Sequence, residues 1–239
     1  VPRHRRIDRL FPRCHGCHKI GMITFLIIGI TVLISVVAFG NYTIMERFIF
    51  RPAETGPGKW YRFFTYGVLH ADYAHLIFNM FTLYFFGGVI EHTFKTVLGD
   101  QTGVICYLLL YLTALPISIL PTYFKQKNNT NYRGLGASGA VSAVIFAYIL
   151  IHPMNFMGIL FIPIWLPAFL FGTIFLLISV ALDKKQGGGI NHSAHITGSL
   201  YGIAFTVILF MALADINLIG EFAQKISIHS VGDLLRFGY

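Results

Sequence analysis

The chain has 239 residues with a formal net charge of +8, and 55% of the residues are hydrophobic while only 12% are charged. Soluble domains carry about 25% charged residues, so this composition excludes an ordinary soluble protein and favours one helical membrane domain. The positive charge is concentrated near the N-terminus instead of covering a binding face, which argues against nucleic acid as a partner.

Residues 1–19 form a basic tail that we interpret as the cytoplasmic flank of the first membrane span. Its cations are Arg3, Arg5, Arg6, Arg9, Arg13 and Lys19. Basic flanks are retained on the cytoplasmic side, which sets the orientation of every later span. The tail also contains the motif CHGCH, formed by Cys14, His15, Cys17 and His18. One isolated motif is weak support for haem attachment or a zinc site, so we expect a reduced thiol pair and neither a metal nor a cofactor.

Six apolar runs follow, each long enough to span or nearly span a bilayer. They lie at about 20–39, 73–90, 103–120, 137–151, 164–182 and 194–212. We number them spans one to six in chain order. The sequence therefore predicts an all-α polytopic membrane protein with a bundle of six transmembrane helices over residues 20–212.

Three segments outside the spans have a character of their own. The connection 40–72 between spans one and two is rich in aromatic and basic residues, which predicts a loop embedded partly in the membrane. The apolar stretch 154–169 contains Pro163 and Pro167. Because proline interrupts helices, we expect a loop in the membrane interface there. Residues 213–239 form a cytoplasmic tail whose spaced apolar residues predict an amphipathic helix.

Polar residues inside apolar spans are costly and are therefore candidates for function. With the N-terminus in the cytoplasm, spans two, four and six all begin at the outer face. Near their beginnings lie, in chain order, His75, Asn79, Ser138 and His195. Helices that run in the same direction bring these side chains to similar depth, so they can converge on one site.

Ser138 and His195 predict nucleophilic catalysis, because a serine hydroxyl becomes a nucleophile when a histidine accepts its proton. Attack on a carbonyl creates an oxyanion, for which the Ser138 N–H, the Asn79 amide and the His75 ring provide candidate donors. No acidic residue lies in the outer half of any span to orient the histidine. A dyad is therefore expected instead of a triad, and a serine dyad needs no metal.

Small residues line the same ends of spans four and six. The glycines concerned are Gly136, Gly139, Gly198 and Gly202. Helices in lipid approach each other closely where such residues line the contact. We therefore expect spans four and six to bring the serine and the histidine within hydrogen-bond distance.

Five motifs at and around these residues follow the order and spacing of one known family. They are YRFFTYGVLH at 61–70, HLIFN at 75–79, GGVIE at 87–91, GASG at 136–139 and AHITGSLYG at 194–202. On these motifs the chain resembles the rhomboid family of intramembrane serine proteases. The resemblance implies a bacterial six-helix form in the inner membrane, with Ser138 as nucleophile and His195 as base. It also assigns His75 and Asn79 to the oxyanion hole, and it implies single-span transmembrane substrates that are cut near the outer face of the lipid bilayer.

Two positions depart from the family pattern. Ser142 stands four residues after the nucleophile, where the family often has an aromatic residue that packs on the catalytic histidine. Another ring is therefore needed to support His195. Tyr61 stands where tryptophan is usual, with Trp60 one position earlier.

Two other functions stay open from the sequence. A catalytically inactive rhomboid-like protein would bind transmembrane clients, although such relatives typically lose the serine or the histidine. A transporter or channel would place its polar residues near the middle of the membrane.

The loop 183–193 is expected to cover the site, with the glycines at 187–189 and span five allowing it to move. His192 lies in this loop and is a weak rival for the role of base, because nothing in the loop fixes it. The other histidines are interpreted as ordinary loop or interfacial residues, namely His70, His92, His152 and His229.

Overall fold

Most of the chain folds into helices, which the computed structural model describes for residues 21–159, 162–185 and 191–237. The helices are α1 (Met22–Gly40), α2 (Tyr42–Phe48), α3 (Arg62–Thr65), α4 (Tyr73–Leu98), α5 (Asp100–Gln126), α6 (Ser138–Ile151), α7 (Ala168–Lys185), α8 (His192–Ala214) and α9 (Leu218–Lys225). The basic tail with its CHGCH motif and the glycines at 187–189 lie outside the described residues. The predictions made for them therefore stay predictions.

Each of the six apolar runs contains a helix, and the predicted all-α polytopic membrane fold is confirmed. Within the described residues, four helices are long and apolar enough to cross a membrane, namely α1, α4, α5 and α8. Helix α6 has only 14 residues, as the short fourth run predicts. Helix α7 is apolar until its last turn, where Asp183 and Lys184 lie. Helix α5 continues past the predicted end of span three, through Pro121 to Gln126.

Helix α6 lies at the centre of the bundle. Eleven of its 14 residues are buried, and α4, α5, α7, α8 and α9 all pack against it. A helix that is apolar on every side is stable when other elements surround it. Its first residue, Ser138, is half-buried at one end of the bundle.

A small antiparallel sheet joins a hairpin before α7 to a strand in the C-terminal tail. Its strands, in spatial order, are β1 (Phe156–Ile159), β2 (Ile162–Pro167) and β3 (Arg236–Phe237). The loop predicted for 154–169 is therefore wrong in its local structure, and α7 begins only at residue 168. Pro163 and Pro167 disfavour a helix here, while the β-branched and aromatic residues between them favour a strand.

The connection between α1 and α4 is folded, with two short helices and tight turns between them. Glu46 forms ion pairs with Arg51 and with Arg133. Phe50 and Gly134 exchange two backbone hydrogen bonds of 2.9 Å. These contacts attach the connection to the segment that leads into α6.

The N-terminus of α1 is capped from a different helix. The Glu91 carboxylate on α4 accepts hydrogen bonds from the Ile23 N–H at 3.2 Å, the Thr24 N–H at 2.8 Å and the Thr24 hydroxyl at 2.8 Å. The first N–H groups of a helix have no partner within it, and negative charge is favoured at that end. Glu91, from the GGVIE motif, thus fixes α1 on α4.

The C-terminal tail packs on the end of the bundle opposite Ser138. Helix α9 buries Leu218, and the Lys225 ammonium donates to the Ile151 carbonyl, the last of α6, at 3.0 Å. The Arg236 guanidinium in β3 lies 3.8 Å from the centre of the Phe156 ring. The tail therefore joins α6 to the sheet.

Candidate active site

The turn before Ser138 requires glycine at position 136. Gly136 has a φ of +116°, a region that other residues rarely adopt. A Cβ atom there would lie 2.7 Å from Cε1 and 3.0 Å from Nε2 of His75. The Gly136 N–H donates to the Tyr66 carbonyl at 3.0 Å. The turn that leads into Ser138 thus lies directly against the His75 ring.

The first turn of α6 is in backbone contact with the first two turns of α8. A Cβ atom on Gly198 would lie 2.1 Å from the Gly139 carbonyl oxygen, and one on Gly139 would lie 3.5 Å from the Ala194 oxygen. Helices approach this closely only where side chains are absent. Because Ser138 directly precedes Gly139 and His195 directly follows Ala194, the two candidate catalytic residues stand on adjoining turns.

The His75 ring faces the turn before Ser138 with its Cε1 and Nε2 atoms. The Ala71 N–H approaches His75 Nδ1 at 3.5 Å, and the Asp72 carboxylate caps α4 by accepting from the His75 N–H at 2.8 Å. With Nδ1 as the acceptor, the neutral ring is assigned its proton on Nε2. His75 is therefore a hydrogen-bond donor towards the site.

Asn79 lies one turn after His75 and is buried. Its amide nitrogen donates to the His75 carbonyl on the same helix at 2.9 Å. An amide group has two hydrogens, so one remains for another acceptor. The side chain is at the site, but one of its donors is already used within α4.

Two rings pack on His195. The Phe175 ring on α7 is stacked on it, with ring centres 5.8 Å apart and planes at 28°. The His192 ring meets it edge-on with centres 6.0 Å apart. Phe175 was not among the predicted residues, because a partner on another helix cannot be read from local spacing. The small side chain of Ser142 is the signal that a ring had to come from elsewhere.

His192 is the first residue of α8, so the prediction that it lies unfixed in a loop is wrong. The Asn191 side chain caps α8 by accepting from the Ala194 N–H at 3.0 Å. The same side chain donates to the Thr122 hydroxyl at 2.9 Å and to the Tyr132 hydroxyl at 3.1 Å. These bonds fix the beginning of α8 against α5.

His70 lies behind His75 and is fully buried. The Ser35 hydroxyl donates to the Val68 carbonyl at 2.7 Å and lies 3.0 Å from His70 Nδ1, so Nδ1 is the donor in the second contact. The rings of His70 and His75 meet edge-on, with centres 5.0 Å apart. Burial, reinforced by the neighbouring His75, lowers the pKa of His70 to about 3. Interpreting His70 as an ordinary loop histidine therefore missed a residue that packs on the candidate site.

The Ser138 hydroxyl and the His195 ring form no hydrogen bond within residues 21–159, 162–185 and 191–237. Catalytic hydrogen bonds are often long or poorly aligned before substrate binds. The packing of α6 on α8 is thus the observation that relates the positions of the two residues. In the same ranges, no group of three His, Cys, Asp or Glu side chains is arranged to hold a metal ion.

Comparison with known proteins gives one consistent result. A family model described as the Rhomboid domain matches residues 57–212. RHOMBOID-like protein 12, mitochondrial, of Arabidopsis thaliana is 31% identical over 172 residues, which are 67% of this chain and 50% of that protein. Rhomboid protease GlpG of Haemophilus influenzae is 27% identical over 188 residues, which are 77% of this chain and 88% of that protein. The chain thus spans about half the length of the plant relative.

Proposed function

Because the chain belongs to the rhomboid family, we propose that it is an intramembrane serine endopeptidase that cuts single-span transmembrane proteins. The observation that carries this proposal is the backbone contact between α6 and α8, since it places Ser138 and His195 on adjoining turns. One relative is named a rhomboid protease, which supports the reaction class. The chain is an integral membrane protein, so its substrates are sought within the lipid bilayer.

In the proposed reaction, Ser138 Oγ attacks the carbonyl carbon of the scissile peptide bond while His195 accepts the hydroxyl proton. The C–N bond then breaks, the leaving amine takes that proton from His195, and the acyl group stays on Ser138 as an ester. A water molecule attacks the ester and gives a proton to His195. The ester bond breaks, the proton returns to Ser138, and the carboxylic acid product leaves. The dyad needs neither a metal nor a cofactor.

Three donors are proposed for the oxyanion that forms during attack. The Ser138 N–H lies at the N-terminus of α6, where the first N–H groups of a helix are free and negative charge is favoured. The His75 Nε2–H is directed towards the preceding turn, and Asn79 has a second amide hydrogen. Donors placed in advance stabilise the transition state because they need no reorganisation during the reaction.

We place the site near the outer face of a bacterial inner membrane, with residues 1–19 and 213–239 in the cytoplasm. The cationic tail supports this orientation. Ser138 lies at the end of the bundle opposite α9 and the sheet, so an inner C-terminal tail puts the serine at the outer side. Substrates would therefore be cut in the outer part of the membrane.

Cleavage of a tagged single-span protein by the purified chain in detergent tests the proposal. Ser138→Ala and His195→Ala should each abolish product, because one removes the nucleophile and the other the proton acceptor. The exposed His229 provides a matched control, and His229→Ala should cut at the wild-type rate. Product formation by Ser138→Ala at the wild-type rate would overturn the proposal.

A second candidate is a catalytically inactive rhomboid-like protein that binds transmembrane clients. The observation that favours it is the missing hydrogen bond between Ser138 and His195 in the described part of the chain. The same assay separates the two functions. A client that binds the wild type but stays intact would support the inactive protein.

A further inference from the structure

The face of α6 that carries Ser138 has a second small residue one turn further along. Residues 138, 142 and 146 are spaced by four and therefore lie in one row on the helix. The row begins with the candidate nucleophile and ends with Phe146. Between them is Ser142, which is small and buried. A serine at this position brings no ring to the row before Phe146, so a ring near the candidate site has to come from another helix.

Helix α7 brings a ring to this row at Phe146. The Phe175 ring lies with its centre 6.0 Å from the Phe146 ring and 5.8 Å from the His195 ring. One ring from α7 thus contacts both the row on α6 and the candidate base on α8. Its plane is within 28° of the imidazole plane, so the two rings are stacked.

Glycine allows α7 to come this close. A Cβ atom on Gly172 would lie 2.8 Å from Ile149 Cδ1 and 3.3 Å from Phe146 Cε1. Gly172 precedes Phe175 by about one turn, so α7 is in contact with α6 just before the ring. The position of Phe175 is therefore determined by helix packing and not by a free side-chain rotation.

We infer that Phe175 is the positioning residue for His195. Its ring stacks on the imidazole from α7 and limits the rotation of the imidazole, which receives the proton of Ser138 in the proposed reaction. This inference rests on the proposed function. Phe175 acts through His195 and not on the substrate, so its loss should slow the chemical step without changing substrate binding.

Phe175→Leu in the full-length protein tests the inference, because leucine keeps the apolar volume and removes the ring. The measurements are the second-order rate of fluorophosphonate labelling, kcat and KM for a tagged substrate, and the thermal midpoint. The interaction free energy of an aromatic pair corresponds to about a two- to tenfold change in rate. We expect labelling and kcat to fall by that factor at unchanged KM.

Matched variants separate positioning from general packing. Phe175→Tyr keeps the ring and should restore the labelling rate. Phe171→Leu removes a partly buried ring one turn earlier on the same helix and should label at the wild-type rate. Adding Ser142→Phe to Phe175→Leu supplies a ring from α6 and should recover part of the lost rate.

The outcomes distinguish failure of this inference from failure of the proposed function on which it rests. If fluorophosphonate labels the wild type and labels Phe175→Leu equally fast, the inference alone is overturned. Equal losses of labelling rate in Phe175→Leu and Phe171→Leu would also overturn it, because the loss would then come from general packing of α7. A wild-type protein that neither labels nor cuts would overturn both the inference and the proposed function.

Discussion

At the scale of single residues, the candidate site consists of neutral polar side chains that pack against other side chains and turns. His75 is supported on one side by the buried His70 ring and on the other by the Gly136 turn. His195 is covered by Phe175. Neutral donors and acceptors suit a site inside a membrane, because a buried charge without a partner is costly there.

Asn79→Ala should lower kcat by about 100-fold, the usual effect of removing one oxyanion donor. KM should change little, because the amide is proposed to act on the transition state. Steady-state cleavage of a tagged substrate measures both constants. An unchanged kcat would remove Asn79 from the proposed oxyanion hole.

His70 makes the folded state sensitive to acid. Its pKa is about 3 in the folded protein and about 6.5 in an unfolded chain, so protonation favours unfolding. The contribution of neutral His70 to the free energy of unfolding is complete above pH 6.5 and is lost as the pH falls towards 3. The free energy of unfolding falls by about 2 kcal/mol between pH 7 and pH 5 from this source.

Unfolding of His70→Phe at pH 7 and pH 5 isolates this contribution. The variant should lose less stability than the wild type over this interval, because phenylalanine cannot be protonated. His92, which is exposed, gives the control His92→Phe with wild-type pH dependence. Equal pH dependence in His70→Phe and the wild type would contradict the expectation.

At the scale of elements, the contact between α6 and α8 determines the geometry of the candidate site. Gly198 meets the Gly139 carbonyl, and one turn later a Cβ atom on Gly202 would lie 2.2 Å from the Ala143 oxygen. Two successive glycines on α8 thus lie against the backbone of α6. A side chain at either position would separate the helices that carry the nucleophile and the base.

Gly198→Ala should therefore reduce both activity and stability. The added methyl group would overlap backbone atoms that cannot rotate away, and overpacking of this kind costs about 1–3 kcal/mol. Gly29→Ala on α1 is the matched control, because a Cβ atom there meets nothing within 4 Å. Fluorophosphonate labelling and the thermal midpoint should fall for Gly198→Ala only; two variants that behave alike would contradict this account of the contact.

The elements could be predicted from the sequence to different degrees. The spans, the polar residues near the beginnings of spans two, four and six, and the glycine pairs are visible because membrane burial restricts composition over long stretches. The hairpin before α7 was not predicted, since short apolar runs do not distinguish strand from loop. Phe175 and the support by His70 depend on contacts between distant segments, which no local pattern encodes.

At the scale of the whole molecule, the bundle is anchored at both ends of its central helices. Glu91 joins α1 to α4, and Lys225 joins the C-terminal tail to the end of α6. The folded connection between α1 and α4 holds the segment before Ser138. The candidate site therefore depends on contacts distributed over most of the described chain.

Glu91→Ala should destabilise the protein without removing any group of the proposed site. It leaves two backbone N–H groups without their acceptor, which costs about 3 kcal/mol, while the Thr24 hydroxyl keeps the Tyr107 hydroxyl as a partner at 2.9 Å. Glu91→Gln keeps one acceptor oxygen and should show an intermediate loss. Thermal unfolding in detergent measures both; an unchanged midpoint in Glu91→Ala would show that α1 is held by other contacts.

The central claim is that Ser138 is a nucleophile activated by His195. Treatment of the purified protein with a fluorophosphonate, followed by peptide mapping, tests it most directly. We expect a single adduct on Ser138, which is lost in Ser138→Ala and reduced at least 100-fold in His195→Ala, the order of effect expected for a general base. An adduct on another residue, or undiminished labelling of Ser138 in His195→Ala, would contradict the claim.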